Sequence, residues 1–501
     1  MEAFLPLLVA LPLGVAFAIV IFAHVPALKR VTSVLPALVV LANLVIAVNL
    51  LRFGELRLFV GKWGGGSTLG IEMVCDGFTK LMLVTINFVS LAAVVFAGPY
   101  MKRFTKLWLF ESLFLLMTGA MNAVVLAGDL FNLFVFIEVA AIASYALVAF
   151  GTEAEELEAA FKYLVLGTIG SAFILLGVTV IYSLTGHLNM KVVADALRGV
   201  SSPAVMLAAA ALIGGFALKA AMVPFHAWLP DAHPAAPAPI SAMLSGVLIK
   251  ASGIYAVARI VFNVLGPSTQ YAHILIFLGA ASMVVGMFLA LGQWDLKRLL
   301  AYSSVSQAGY VVLALGVAAY LKAAGAPQGR NWLPGLCLFG GLFHLFNHAT
   351  FKSLLFLSSG SIEHQVGTRQ LGEMGGLTRS MPVTSFCCRV GALSISGVPP
   401  FNGFFSKLII IIALALAEQY ALAALAAGVA VGTLLMYVKV QRYALEGMPA
   451  GRTLNAREAP VLMCAALVLL AVVCVAAGLA LVPLKTYLFD PASRALLGAA
   501  P

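Results

Sequence analysis

The chain has 501 residues, of which 62% are hydrophobic and only 10% are charged, and its mean hydropathy is +1.04. A soluble globular protein carries about 25% charged residues, so this composition excludes that class and indicates a polytopic membrane protein. The net charge of +10 comes from Lys and Arg scattered beside apolar runs, where such residues determine topology. The sequence has no basic run with interleaved aromatic residues, so it gives no sign of nucleic-acid binding.

Apolar runs about 20 residues long, without the alternation of a strand, predict transmembrane helices along the whole chain. About 14 runs can be delimited, at roughly 3–24, 31–51, 78–98, 107–127, 129–150, 160–184, 204–229, 239–262, 272–293, 299–320, 334–359, 382–417, 420–444 and 461–484. An even number of spans places both termini on one side. The positive-inside rule favours both termini outside, with cytoplasmic loops that hold Lys29/Arg30, Lys102/Arg103/Lys106, Lys297/Arg298, Arg369/Arg379 and Lys439/Arg442/Arg452/Arg457.

Two of these runs are interrupted near their centre or end. The run 204–229 meets Pro224, and the run 382–417 contains Pro399 and Pro400. Proline removes a backbone donor and clashes with the preceding turn of a helix. Interrupted helices at corresponding places in two halves of a chain point to a transport site, whereas simple packing kinks are the structural alternative.

Five ionisable side chains lie inside the apolar runs and away from their ends, namely Glu138, Lys219, Lys250, Lys352 and Lys407. A charge near the bilayer centre costs roughly 2.5–3.5 kcal/mol on insertion scales, and it is tolerated where it faces a protein interior or water and finds a partner. Lysine changes its protonation state readily when it is desolvated. The pattern predicts a buried route for protons or cations, with a salt bridge that fixes helix register as the alternative for the glutamate.

Histidines accompany these residues. His344, His348 and Lys352 recur every four residues and therefore share one helix face. A proton relay suits this spacing because histidine titrates near neutral pH, with a structural role as the alternative. A metal site is disfavoured because no carboxylate, cysteine or further histidine lies nearby. His226 and His233 lie at or beyond the first break, where they either gate access between the pathway and water or tie down irregular backbone.

The remaining acidic residues predict local structure. Asp129 follows Gly128 at the start of an apolar run and is predicted to be a helix N-cap. A short connection holds an acidic cluster that is predicted to be a solvated face, formed by Glu153, Glu155, Glu156 and Glu158. The chain carries neither a Gly-x4-Gly-Lys-Ser/Thr loop nor a dinucleotide fingerprint, so the sequence predicts no cofactor and no metal.

The segment from Lys219 to Tyr255, KAAMVPFHAWLPDAHPAAPAPISAMLSGVLIKASGIY, resembles the hallmark of one family. This is the proton-conducting antiporter-like family of Mrp-type Na+/H+ antiporters, respiratory complex I and membrane-bound hydrogenases. The agreement extends to DLFNLFVFIE around Glu138, DLKRLLAYSSVSQAGY at 295–310, HLFNHATFKSLLFLSSGS at 344–361 and SGVPPFNGFFSK at 396–407.

The resemblance implies a fold of about 14 transmembrane helices with two inverted five-helix repeats, each containing a broken helix. Helices 1–3 would occupy residues 1–106, the first repeat (helices 4–8) residues 107–262, and the second repeat (helices 9–13) residues 272–444. Helix 14 and a tail would occupy residues 461–501.

The resemblance also implies roles for the buried residues. Glu138 and Lys219 would form an ion pair whose opening moves a proton to Lys250. The proton would continue through the His344–His348–Lys352 face to Lys407.

Subtype is the finer question. A lysine at position 407, within SGVPPFNGFFSK, resembles the sequence of the D-type Mrp antiporter subunits and their hydrogenase relatives. One complex I subunit has a glutamate at this position instead. The tract Gly64–Gly65–Gly66–Ser67 differs from the Trp-Pro-Ala-Pro sequence of the D-type Mrp subunits, which leaves a redox-driven complex open.

These observations predict a proton-translocating subunit of a multisubunit Mrp-type cation (Na+)/proton antiporter in a prokaryotic cell membrane. Its partners would be other integral-membrane subunits, and it would carry no redox centre of its own. The nearest alternative is the same module in a hydrogenase or NADH-dehydrogenase type complex. A transporter for an organic solute would need polar or aromatic groups shaped around a substrate, and an intramembrane enzyme would need a metal motif or a nucleophile–base pair; neither pattern is found in the sequence.

Overall fold

The computed structural model describes residues 2–23, 25, 29–61, 70–449 and 451–498, so the Gly64–Ser67 tract lies outside the described residues. Within this part of the chain, 11 helices are long and apolar enough to cross a membrane. The 34-residue helix Leu333–Val366 and two broken helices bring the passes to 14. The predicted polytopic, all-helical membrane fold is confirmed.

The helices before the first break are α1 (Leu7–Phe22), α2 (Lys29–Leu50), α3 (Gly77–Tyr100), α4 (Leu107–Leu126), α5 (Leu130–Val148), α6 (Ala154–Thr185), the short amphipathic α7 (Met190–Leu197) and α8 (Pro203–Lys219). After the break come α9 (Leu229–Ala235) and α10 (Ala238–Val264). Three segments of α10 are π-helical, namely Leu244–Leu248, Lys250–Tyr255 and Ile260–Val264.

The second half contains α11 (Thr269–Leu291), α12 (Leu296–Ala324), α13 (Leu333–Val366), the broken pair α14 (Pro382–Ser396) and α15 (Asn402–Leu416), and α16 (Tyr420–Val440). Each half places its broken helix fourth among five passes, in the order α4, α5, α6, α8/α9, α10 and α11, α12, α13, α14/α15, α16. Because five passes are an odd number, the second set begins on the opposite side of the membrane from the first. The two sets are therefore inverted.

Local capping explains several of the helix starts. Asp129 is the N-cap of α5 and accepts a hydrogen bond of 2.7 Å from the Asn132 amide, as predicted. The acidic cluster is largely exposed, as predicted, but it does not form a connection, because α6 already begins at Ala154. Glu153 is the N-cap of this helix and forms a capping box with Glu156. Carboxylates stabilise the positive end of a helix, so α6 begins before the apolar run does. The apolar periodicity of the sequence does not reveal this earlier start.

Two elements outside the membrane passes were not predicted. Strands β1 (Leu56–Val60) and β2 (Ile71–Cys75) pair as an antiparallel hairpin before α3. After α17 (Val461–Leu479), the chain folds back as α18 (Asp490–Leu497). The ring of Phe489, which is fully buried, lies 5.2 Å from that of Phe343 on α13. The predicted tail is therefore part of the packed core.

Candidate functional site: a buried chain of ionisable groups

The first break brings the predicted acid and lysine together. Helix α8 ends at Lys219, whose Nζ lies 3.2 Å from Oε1 of Glu138 on α5. The Ser171 hydroxyl on α6 donates to the same carboxylate oxygen. The lysine side chain is 6% exposed and the glutamate side chain 27%. The pair thus sits at a helix terminus, where the backbone has freed polar groups and can move without breaking a continuous ladder of hydrogen bonds.

Side chains from neighbouring elements support the irregular backbone of this break. The Trp228 indole donates to the Leu218 carbonyl at 3.1 Å, and the Val223 amide donates to the Ser282 hydroxyl at 2.9 Å. The Val223–Pro224 peptide bond is cis, as is Pro399–Pro400 in the second break. These partners satisfy backbone groups that lipid could not satisfy.

Lys250 lies on α10, fully buried between the two breaks. Its side-chain nitrogen donates to the Ser245 carbonyl within the π-helical part of the helix. Two glycines allow the neighbouring helices to approach. A Cβ added at Gly246 would collide with Oγ of Ser353, and one at Gly253 would lie 2.6 Å from the backbone of Ala220. The helix that carries the central lysine is thus packed closely against both α13 and the first break.

The predicted face of α13 is completely buried. Lys352 donates to the Ser303 hydroxyl and, at 2.7 Å, to the Leu300 carbonyl. Nδ1 of His344 lies 2.9 Å from the hydroxyl of Ser406 on α15. Among the described residues, Nε2 of His344 and both ring nitrogens of His348 have no hydrogen-bond partner. Buried polar groups pair with protein or with ordered water, so we expect water at these nitrogens.

The second break binds Lys407, the last of the five ionisable residues predicted from the apolar runs. Nζ of Lys407 donates to the Ile395 carbonyl at 2.7 Å, close to the end of α14 at Ser396. The carbonyl end of a helix carries partial negative charge, which favours a nearby cation. The two breaks use their lysines differently. Lys219 is the last residue of α8 and its Nζ pairs with Glu138, whereas Lys407 belongs to α15 and its Nζ reaches the carboxyl end of α14.

The two histidines of the first break differ in burial. His226 is partly exposed, with its ring 6.3 Å from that of Tyr302. His233 is fully buried and stacks on Phe356 at 4.5 Å, and the Phe356 ring lies 5.9 Å from Nζ of Lys352. Neither ring nitrogen of His233 has a hydrogen-bond partner within the described part of the chain, so its imidazole does not tie down the backbone.

Sequence reasoning missed two buried ion pairs. Arg259 on α10 binds Asp76, the N-cap of α3, at 2.5 Å. Burial alone would raise the pKa of Asp76, but the guanidinium outweighs this effect and holds the pKa below its ordinary value. Lys297 binds Glu363 at 2.8 Å beside a cavity of about 990 Å³. The sequence signal for the first pair was Arg259 itself, because an arginine within an apolar run indicates a buried partner of opposite charge.

The geometry joins Glu138 to Lys219 directly and places Lys407 next to the Ser406 partner of His344. No hydrogen bond in the described residues links Lys250 to the groups on either side of it, so a proton would need water to pass there. The assignment of these side chains to a pathway stays a prediction.

A 14-pass fold with two inverted, broken helices and a buried series of lysines and histidines defines an antiporter-like membrane subunit. Residues 127–434 match the family model described as NADH:quinone oxidoreductase/Mrp antiporter, TM, and the chain belongs to this family. The family predicted from the sequence motifs is confirmed.

Relatives of two kinds are similar to the chain. The N subunit of the NADH-quinone oxidoreductase of Desulforudis audaxviator is 38% identical over 418 residues, which cover 81% of this chain and 79% of the relative. The D subunit of the Na(+)/H(+) antiporter of Alkalihalophilus pseudofirmus is 33% identical over 447 residues, which cover 88% of this chain and 87% of the relative.

Solved structures divide in the same way. A chain of the Mrp complex from Dietzia sp. superposes with a TM-score of 0.88 and 28% identity, covering 99% of this chain and 97% of that one. A chain of the membrane-bound sulfane sulfur reductase, an archaeal respiratory membrane complex, superposes with a TM-score of 0.85 and 30% identity. The superposition covers 99% of this chain and 98% of that one. The chain is therefore an antiporter-like subunit of the Mrp or complex I/hydrogenase type.

Proposed function

We propose that the chain is the proton-translocating subunit of a multisubunit Mrp-type cation (Na+)/proton antiporter. The observation that carries this proposal is the Glu138–Lys219 ion pair at the first break, 3.2 Å long, followed by buried lysines and histidines as far as the second break. The similarity to the D subunit of a Na(+)/H(+) antiporter over most of both chains and the superposition on the Mrp complex support it.

The mechanism follows from the ion pair. While Glu138 is close, it stabilises the charged form of Lys219 by about 5 kcal/mol at an effective dielectric constant of about 20. When the pair opens, the desolvated ammonium loses this stabilisation and becomes a proton donor. The broken helix end allows that movement. Lys250 is the next lysine and would take up the proton on its side-chain nitrogen. That nitrogen donates to the neutral Ser245 carbonyl, so no buried carboxylate competes for the proton there.

Exposure of Glu138 supports an assembly. Its side chain is 27% exposed on a helix within the membrane, where a carboxylate that faces lipid is costly. A neighbouring protein subunit that covers this face of α5 and α6 and offers polar groups would remove the cost. The partners would therefore be other integral-membrane subunits, one of them beside Glu138.

The second candidate function is an antiporter-like proton-pumping subunit of a redox-driven complex. The 38% identity to the N subunit of an NADH-quinone oxidoreductase and the superposition on the sulfane sulfur reductase complex favour it. Both functions would use the same side chains, and they differ in what drives the pathway.

The deciding experiment is purification of the intact complex in mild detergent, identification of every subunit and reconstitution into liposomes. An imposed Na+ gradient should drive proton movement without an electron donor, and Lys219→Ala should abolish it while the complex still assembles. Proton movement that requires an electron donor and acceptor would replace the Mrp assignment by the redox-driven one. Normal transport by assembled Lys219→Ala complex would refute the carrier role in both.

A further inference from the structure

Tyr310 lies at the junction between the last two groups of the proposed pathway. It is on α12, fully buried, and its ring lies 5.3 Å from the imidazole of His344. On the other side of the step, Nζ of Lys407 is 5.1 Å from the centre of the same ring. One aromatic side chain thus contacts both the donor and the acceptor of the step between α13 and α15.

The hydroxyl of Tyr310 serves a different purpose from its ring. It donates to the carbonyl of Ala426 on α16 at 2.6 Å. This hydrogen bond occupies the phenolic proton and directs it to a helix that carries none of the predicted pathway residues. Because the hydroxyl points to α16, the ring alone acts on the two titratable groups.

An aromatic ring attracts a cation within about 6 Å of its centre, and the attraction grows when both are desolvated. At this site the ring favours positive charge on Lys407, and it packs against the His344 imidazole with an angle of 49° between the two ring planes. A ring that stabilises the charged form of Lys407 makes this lysine a better acceptor for a proton that leaves His344. Ser406, which is bonded to His344 and adjacent to Lys407 in the chain, fixes their relative position.

We propose that Tyr310 is a positioning residue for proton transfer between His344 and Lys407, acting through its aromatic ring and not through its hydroxyl. This inference rests on the proposed function, because it concerns one step of that pathway. It distinguishes Tyr310 from a tyrosine that merely fills the core, since a core residue would act through shape and its hydrogen bond.

The test is a series of aromatic substitutions at position 310 in the intact, reconstituted complex. Tyr310→Phe keeps the ring and removes the hydroxyl, and phenylalanines with increasing numbers of ring fluorines then weaken the quadrupole at nearly constant shape. Proton transport is measured as a function of pH. We expect Tyr310→Phe to keep the wild-type profile and fluorination to move its alkaline limb progressively to lower pH, by about one unit in total.

The direction follows from the charge. On the alkaline side, transport fails when Lys407 no longer takes up a proton. A ring with a weaker quadrupole stabilises the protonated form of Lys407 less, so a lower pH is needed to protonate this lysine. The other titratable groups are unchanged in the series. Those buried on the helices packed against α15 are Cys337, His348 and Lys352 on α13, Cys387 and Cys388 on α14, Tyr437 on α16, Cys474 on α17 and Lys297 on α12, and Lys250 on α10 acts electrostatically on His344.

Two variants complete the design. Tyr310→Leu should shift the profile at least as far as the most fluorinated ring. Tyr320→Leu removes another tyrosine of α12, whose ring faces His273 at 5.4 Å, and should leave the profile unchanged. A profile that stays constant across the fluorinated series would overturn the inference. If the profile is constant and Lys219→Ala still abolishes transport in the same reconstituted complex, only the role of Tyr310 is refuted. If Lys219→Ala does not abolish transport, the proposed function is refuted as well.

Discussion

The sharpest prediction concerns the length of the side chain at position 138. Nζ of Lys219 lies 3.2 Å from the Glu138 carboxylate, and the carboxylate is 27% exposed, so an effective dielectric constant of about 20 is appropriate and gives an attraction of about 5 kcal/mol. Glu138→Asp withdraws the carboxylate by about one carbon–carbon bond, or about 1.5 Å. At about 4.7 Å the attraction is about 1.7 kcal/mol weaker, so if the pair must re-form in each cycle we expect transport to be roughly tenfold to twentyfold slower.

Glu138→Gln and Glu138→Ala remove the charge altogether. Breaking a buried ion pair by removing one partner costs about 3–5 kcal/mol, because the remaining charge stays uncompensated. If the cycle requires the pair to re-form, transport falls by about a hundredfold or more. The expected order of rates is therefore wild type, then Asp, then Gln and Ala together.

The assay is proton movement in liposomes that hold equal amounts of assembled complex, with assembly checked by size-exclusion chromatography and subunit composition. Glu111→Gln is the matched control. Glu111 is a carboxylate on α4 that is 7% exposed and has no ion pair within the described residues, so its variant should transport at about the wild-type rate. Equal rates for Glu138→Asp and Glu138→Ala, or a fast Glu138→Gln, would refute the reasoning from charge and distance.

Two further predictions concern stability. Gly253→Ala would place a Cβ 2.6 Å from the backbone of Ala220, so we expect a loss of about 1–3 kcal/mol and a lower Tm, whereas Gly428→Ala, with no atom within 4 Å, should leave Tm unchanged. The pKa of Asp76 is lowered by Arg259 against the effect of burial, so their ion pair stabilises the fold at neutral pH and is lost as pH falls through that lowered pKa. Asp76→Asn should therefore lower the free energy of unfolding by about 3–5 kcal/mol at neutral pH, with a lower Tm, and should have its smallest effect in acid. An equal loss of stability at neutral and acidic pH would contradict the assignment.

Much of the fold could be predicted because lipid leaves few alternatives. A backbone that must satisfy its own polar groups forms helices, and hydropathy then sets the approximate ends of each pass. The errors lie where other forces act. The start of α6 at Ala154 depends on the capping box of Glu153 and Glu156, and the β1–β2 hairpin depends on pairing between segments that are short and only partly apolar.

For the candidate site, a charge in an apolar run was a strong signal that singled out Glu138 and Lys219, and the structure places their charged atoms 3.2 Å apart. The side chains that contact Glu138, Lys352 and Lys407 were not predicted. Ser171, Ser303 and Tyr310 are ordinary in composition, and their roles arise only when distant helices come together. Sequence periodicity shows which residues share a face of one helix, but not which face of another helix they meet.

The acceptors of the buried lysines explain how one ion pair could control a long pathway. Lys250, Lys352 and Lys407 each donate to a backbone carbonyl, and none of them has a carboxylate partner in the ion pairs of the described residues. A carbonyl binds an ammonium group without carrying a full charge, so the energy needed to release the proton stays moderate. A carboxylate beside each lysine would hold every proton in place. Among the ion pairs of the described residues, the proposed pathway therefore has one carboxylate partner, Glu138 at the first break, and movement of that helix end would change the affinity of the pathway for protons there.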